Sequence, residues 1–250
     1  MNRKLLYIIM VAGVLVISVT TLFLYGLYQA SSSIKLEVKG LYIDDSNGYP
    51  SVIVDFTTNK YDFVFKLFDE GGELIDVKTP IEGATRVSLS LTGLKPYTTI
   101  TEPRTYVLVA LHGDQEVYSK TITISGATLR AELLECNVKI TTSGVELSSL
   151  IIMVENTGDV PIYLCNIVSC DIACISNTVC TPPLEIYVNG EKTLFTLSDE
   201  ILVIRPGEIK VVRLSLSPIT IKKSVIDVEI IIGEIKETLT FTLEEISKPK

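Results

Sequence analysis

Four of the chain's five cysteines, Cys165, Cys170, Cys174 and Cys180, crowd into one loop-like stretch spaced C-x4-C-x3-C-x5-C, while Cys136 stands apart. Outside a cell, thiols this close oxidise, and a loop poor in core residues gains most from the constraint, about 2–4 kcal/mol per bridge. Two disulfides among these four are therefore expected, and the spacing leaves all three pairings open. The competing chemistry is thiolate coordination of zinc or of an iron-sulfur cluster. Zinc knuckles commonly pair their ligands as C-x2-C and plant-type ferredoxin loops use C-x4-C-x2-C, so this run fits neither, and no metal or cofactor is expected. Cys136 alternates in phase with Leu134, Val138 and Ile140, which reads as a thiol serving as a small core hydrophobe.

Nucleophilic hydrolysis through a Ser-His-Asp or Cys-His arrangement needs an imidazole, and His112 is the only one. It precedes Gly113-Asp114, a hairpin-tip sequence, and reads as a solvated turn residue. No Gly-rich phosphate cradle, H-E-x-x-H or G-x-S-x-G occurs, so an enzyme is not expected and no catalytic residue is assigned. Two acidic turns, Asp44-Asp45 with Asn47 and Asp69-Glu70, offer oxygens to calcium. Neither supplies the roughly six to eight ligands that calcium takes, and both read as ordinary turns.

The elements that carry these residues are strands. From Ile34 onward the hydrophobic period is two, filled by β-branched and aromatic residues suited to a half-buried pleat. Strands are expected at Ile34 to Ile43, Val52 to Thr57, Phe63 to Phe68, Leu74 to Lys78, Arg86 to Leu91, Thr105 to Leu111 and Val117 to Ile124. Beyond a junction at Gly126 to Thr128 they recur at Leu134 to Ile140, Leu147 to Glu155, Pro161 to Ile167, Leu184 to Val188, Thr193 to Leu197, Ile201 to Ile204, Ile209 to Ser217, Val225 to Ile232 and Glu234 to Leu243. Asn47-Gly48, Gly71-Gly72, Gly113-Asp114 and Asn189-Gly190 supply residues that tolerate positive φ in tight hairpins. Short strands at this spacing are solved most economically by β-sandwiches.

Ahead of them lies one uninterrupted apolar run, Leu5 to Tyr28, directly behind Arg3 and Lys4. As a helix its roughly 24 positions reach about 36 Å, enough to cross a hydrocarbon layer of about 30 Å with some tilt. The flanking positive charges hold the N-terminus in the cytoplasm and send the body outward. Its length exceeds a normal signal-peptide core, so a retained anchor is expected in preference to a cleaved secretory signal or a pilin-type leader. The expected organisation is thus a cytoplasmic tip and anchor over 1–30, one sandwich over 31–126 and a second over 127–250.

A net charge of −8 and a pI near 4.8, with no cluster of Lys and Arg, exclude a general grip on phosphate backbones, and no nucleic-acid partner is expected. Trp is absent, Gln occurs only at Gln29 and Gln115, and Ile, Val, Lys and Glu abound, a usage that resembles thermophilic archaeal proteins. No Asn-x-Ser/Thr sequon is present.

In the first module, Leu94-Lys95-Pro96 followed by Pro103 to Ala110 resembles the late strands of fibronectin type III-like domains, with Tyr106 as the corner tyrosine. The segment Tyr97 to Glu102 is inserted relative to that pattern, and the early tryptophan is missing. In the second module, Val154-Glu155-Asn156-Thr157-Gly158-Asp159-Val160-Pro161-Ile162 and Ile204-Arg205-Pro206-Gly207-Glu208 resemble Ig-like cell-surface domains of the CARDB type. Together with the apolar run, the expected fold is all-β, two tandem Ig-like β-sandwiches preceded by one N-terminal transmembrane helix. The functional implication of the resemblance is a non-enzymatic cell-surface spacer, adhesion or docking module. The partners expected are membrane lipid through Leu5 to Tyr28 and a surface protein or S-layer. A subunit of an archaeal surface filament or motor, or a noncatalytic subunit of a membrane enzyme or transporter, are the alternatives.

Overall fold

The computed structural model describes residues 18–21, 34–142, 144–165, 184–198 and 201–242. Of the expected anchor only 18–21 is described, as helix; the rest of Leu5 to Tyr28 lies outside the described residues. Among the described residues no helix is long and apolar enough to cross a membrane.

Residues 36–124 supply seven strands: β1 (Leu36–Ser46), β2 (Tyr49–Thr58), β3 (Val64–Asp69), β4 (Leu74–Lys78), β5 (Arg86–Ser90), β6 (Arg104–His112) and β7 (Gln115–Ile124). They form two antiparallel sheets, ordered β1-β2-β5 and β4-β3-β6-β7. Period-two alternation turns Val52, Val54 and Phe56 of one sheet and Phe65, Leu67, Leu108 and Ala110 of the other into a shared core. Each large aliphatic side chain so buried contributes about 1.5–3 kcal/mol. Phe56, Phe63 and Phe65 meet edge-on or tilted, with centroids 5.4–5.9 Å apart, the arrangement their ring quadrupoles favour.

Two polar devices finish this sandwich. Tyr106, near the start of β6, is buried, and its hydroxyl donates to the Leu91 carbonyl at 3.2 Å, tying the strand to the loop that leads into it. Arg86 grips Asp55 across the β2–β5 pair with two bonds of 2.6 and 3.1 Å and lies 5.8 Å from the centre of the Tyr42 ring. The Arg86 hydrogen bonds hold the Asp55 carboxyl below its ordinary value.

The remaining strands are β8 (Leu129–Thr141), β9 (Gly144–Asn156), β10 (Ile162–Cys165), β11 (Leu184–Val188), β12 (Glu191–Thr193), β13 (Phe195–Leu197), β14 (Ile201–Ile204), β15 (Ile209–Ile221), β16 (Val225–Ile232) and β17 (Ile235–Thr242). They build sheets ordered β13-β15-β9-β8 and β12-β11-β16-β17, with β10-β14 as a separate pair. In both halves strands that are not consecutive in the chain are neighbours within each sheet, β2 with β5 and β9 with β15 in one sheet, β3 with β6 and β11 with β16 in the other. That shared crossing pattern is an Ig-like β-sandwich connectivity.

Several strands run differently from expectation. The first hairpin continues through its acidic turn: Asp44 pairs with Ser51, Asp45 with Pro50 and Ser46 with Tyr49, closed by Asn47 and Gly48 at φ 54° and 85°. Thr193 to Leu197 is two strands rather than one, because the chain leaves one sheet after Thr193 and enters the other at Phe195. Leu194, at the crossing, is exposed, and its carbonyl accepts the Ser217 amide at 2.8 Å. Ile140, in phase with the half-buried Cys136 and Val138, is nevertheless exposed near the end of β8.

Candidate functional site

Side chains from both sandwiches converge where the two units meet. The chain passes from β7 to β8 through Ser125-Gly126-Ala127-Thr128, and this link is hydrogen-bonded from both sides. The Asp159 carboxylate accepts the amides of Ser125 at 2.7 Å and Gly126 at 3.1 Å. Ala127 N–H donates to the Ile100 carbonyl, and Thr157 N–H to that of Thr128. Gly158 lies so close that an added Cβ would stand 2.4 Å from the Gly126 carbonyl oxygen and 2.6 Å from Thr128 N. Backbone packs directly on backbone here, and only glycine fits.

Asn156, at the end of β9, organises the second sandwich's side of this joint. It is fully buried and its amide group is used three times. Nδ2 donates to the carbonyls of Val160 at 2.8 Å and Ile204 at 3.0 Å, and Oδ1 accepts the Gly158 amide at 3.0 Å. Its backbone N–H and carbonyl pair with Glu208 and Gly207, so one residue fixes both the turn after β9 and the turn before β15. In that second turn Pro206 precedes Gly207 at φ 72°, the residue order a type II turn requires, and the Glu208 carboxylate accepts the Arg205 amide at 2.8 Å.

These turns deliver β10 against the first sandwich. Tyr163 is fully buried; its amide donates to Thr99 Oγ1 at 3.0 Å and its hydroxyl to Asp45 Oδ1 at 2.8 Å. Its ring meets Tyr97 edge-to-face, centroids 5.9 Å apart at 80°. Tyr97 stands at φ 50° and packs over Gly48, where a Cβ would approach its ring to 2.5 Å. Burial, reinforced by the Asp45 carboxylate, raises the Tyr163 phenol well above its ordinary value, so it stays a neutral donor. Arg205 Nε reaches Asp44 Oδ1 at 3.0 Å, at a half-exposed rim. Beneath the polar contacts one apolar cluster includes Ile100, Ala127, Val160 and Ile162, joining the two cores.

The acidic residues singled out in the sequence are thus spent on structure. Asp45 receives Tyr163 and the Gly48 amide, and Asp44 receives Arg205 and the Asp45 amide. Asp69 accepts the amide of Glu73 at 2.8 Å within its own hairpin. His112 ends β6 rather than standing free in the turn, with Nδ1 2.8 Å from the Asp62 carbonyl oxygen and 3.5 Å from its carboxylate. Among the described residues no group of three or more His, Cys, Asp or Glu is placed to hold a metal. Cys136 is a half-buried free thiol packed against the core, and Cys165, buried at the end of β10, is not free. Of the four cysteines expected to form the loop bridges, the other three, Cys170, Cys174 and Cys180, lie outside the described residues.

Sequence reasoning did not find Tyr163, Thr99, Tyr97 or Asp159. The signal for Asp159 was present, an acid beside an obligatory glycine. For Tyr163 there was none, because Ile162 to Cys165 reads simply as a buried strand.

No family model and no curated protein matches the chain. Among solved structures it is similar to an exo-chitosanase of Amycolatopsis orientalis at 13% identity and TM-score 0.27, over 81% of this chain and 26% of that one. It therefore spans about a quarter of the chitosanase. It is also similar to the chicken interferon gamma receptor alpha chain at 11% identity and TM-score 0.31, over 82% and 97%, and to a marsupial T cell receptor at 8% and 0.19, over 84% and 63%.

Proposed function

We propose that the chain is a non-catalytic, membrane-anchored cell-surface protein whose two sandwiches act as one stiff spacer and docking module. The joint carries this reading. A link hydrogen-bonded by Asp159, a buried Tyr163 seated on Asp45 and Thr99, and a continuous apolar cluster leave little freedom for hinge motion between the units. Most interdomain contacts are looser, and relative motion is the ordinary expectation. A stiff strut suits holding a binding surface at a set distance from a membrane. Leu5 to Tyr28 would be the anchor, with the body outside the cell. The three-plus-four sheet order and the Tyr106 corner favour a fibronectin type III-like first unit, and the Asn156 and Pro206-Gly207 turns a CARDB-type second unit; the residue usage, without Trp and rich in Ile, Val, Lys and Glu, favours an archaeal source. Cys165 would be bridged within the 165–180 insertion.

Spin labels introduced by non-canonical residues at Asp114 and Glu234 of the full-length chain in lipid nanodiscs test the strut. One narrow distance distribution is expected, and a broad one rejects it. Carbonate-resistant membrane association, with a body open to protease in intact cells, is the expected outcome for the anchor; release into the soluble fraction rejects that part.

A further inference from the structure

The sheet β4-β3-β6-β7 is apolar on both of its faces. Its inward residues, among them Phe65, Leu67, Leu108 and Ala110, fill the core of the first sandwich. On the outward phase of the two middle strands Phe68 stands opposite Val107, Val64 opposite Leu111 and Lys66 opposite Val109. The apolar members of these pairs are half-buried, yet none belongs to the core cluster or to the residues packed against it. Leu74 and Val77 carry the surface onto β4, where they are 48% and 46% exposed. A sheet with one face in water ordinarily alternates apolar in and polar out, and a contiguous outward apolar surface marks a contact site.

The charges on this face are of opposite sign. Lys66 lies near its centre, and Glu116, opposite Leu111, lies at its β7 corner. The other charged residues of these strands fall on the inward phase, as Asp76 opposite Leu67 and Lys120 opposite Leu108 do. Among the described residues neither Lys66 nor Glu116 forms an ion pair. An apolar centre with one unpaired charge of each sign is complementary to itself when the right symmetry axis brings the two signs together.

The strand register selects that axis. A two-fold running along the strands between β3 and β6 lays β3 of one copy on β6 of the other at the same height. Phe68 then meets Val107 of the second copy and Val64 meets Leu111, each contact made twice, across the spacing of about 10 Å at which sheets stack. Lys66 lands on Val109, and β4 lands on β7. Glu116 of the second copy falls one strand outward and one pleat along from Lys66, about 8 Å to the side, a gap that two long side chains span. A two-fold across the strands through the Lys66 row would instead set lysine against lysine.

We propose that this face joins two copies of the chain side by side, β3 of each on β6 of the other, with Lys66 and Glu116 paired across the contact. The axis keeps both copies pointing the same way, the orientation that two chains anchored in one membrane share. The contact uses only the first sandwich and stands independently of the anchor and of the stiff joint.

Sedimentation equilibrium of the full-length chain in density-matched detergent micelles tests it, and a dimer with a micromolar Kd is expected. Lys66→Glu sets carboxylate against carboxylate at both ends of the contact, and Glu116→Lys sets ammonium against ammonium. Each should weaken association about tenfold with the melting temperature kept, and the double reversal should restore it. A p-benzoylphenylalanine introduced at Thr121, which pairs opposite Val107 on β7, should crosslink to β4 of the other chain in a mixture of isotope-labelled and unlabelled chains. A monomer at every concentration, a dimer indifferent to both reversals as one held by the anchor alone would be, single losses that the double reversal does not rescue, or crosslinks confined to the chain's own residues or to detergent overturn the proposal.

Discussion

The Tyr163 hydroxyl donates to Asp45 Oδ1 at 2.8 Å across a separation of 118 positions, and this bond joins a buried strand of the second sandwich to the first hairpin of the first. Asp45 is held ready for it by the tight turn at Asn47-Gly48, whose Gly48 amide shares the same carboxylate oxygen at 3.0 Å. Tyr163 is held by its own amide on Thr99. Both partners are therefore positioned by backbone, and the bond costs little side-chain entropy to form.

Tyr163→Phe removes the donor and keeps the ring. A hydrogen bond to a charged acceptor is worth about 1.5–3 kcal/mol, and a loss of that size is expected in urea denaturation at pH 7. The pH dependence gives a second readout. Burial raises the folded-state phenol above its unfolded value near 10, so the stabilisation is whole below about pH 10 and is lost as pH climbs beyond it. Tyr106 is raised by burial in the same direction and remains in both proteins, so the difference between them isolates Tyr163. The wild-type curve should fall more steeply above pH 10 than that of Tyr163→Phe; parallel curves would count against the assignment.

Gly158→Ala tests the backbone contact at the link. The added methyl would meet the Gly126 carbonyl oxygen, Thr128 N and Ala127 Cα, all main-chain atoms that cannot swing aside. Overpacking of this kind costs about 1–3 kcal/mol or more. Gly190→Ala is the contrast: open space surrounds it, and only its φ of 84° is unfavourable, at about 1–2 kcal/mol. Gly158→Ala is also expected to broaden the distance distribution between the two sandwiches, which Gly190→Ala should leave narrow.

Asn156→Ala leaves the Val160 and Ile204 carbonyls and the Gly158 amide without their side-chain partner in a buried setting. Each unsatisfied group costs about 1–3 kcal/mol, so a total above about 3 kcal/mol is expected, read as a lowered denaturation midpoint. Asn156→Asp keeps the acceptor for Gly158 while losing both donors, and should recover only a minor part. A loss below 1 kcal/mol for the alanine variant would mean that the two turns hold without it.

Local chemistry was legible in the sequence and long-range use was not. Asn189-Gly190 reads as a hairpin turn because both positions need positive φ, and they stand at 52° and 84°. Tyr106 reads as a corner residue from the run of residues around it, and its hydroxyl does bond back to Leu91. Asp44 and Asp45 were visible only as an acidic pair. Their partners, Arg205 and Tyr163, arrive from another sandwich, and no local period encodes that meeting. The strand change at Leu194 was hidden for a similar reason: Thr193 to Leu197 fits one strand, and only the sheet pairing divides it.

Cys136 supplies a chemical test of how closely β8 is packed. It pairs opposite Leu150 and is half-buried against the core, and burial followed by the neighbouring Glu135 charge raises its thiol above the ordinary value. The thiolate is the nucleophile, so the native chain should present very little of it at pH 7.5. Peptide-resolved mass spectrometry after brief iodoacetamide treatment is expected to find Cys136 alkylated at least tenfold more slowly in the native chain than in urea. Glu135→Gln, which removes the lesser of the two causes, should recover only a small part of that difference. Equal native and denatured rates would mean that β8 opens readily from the sheet, and that the core behind Leu150 is reached by solvent.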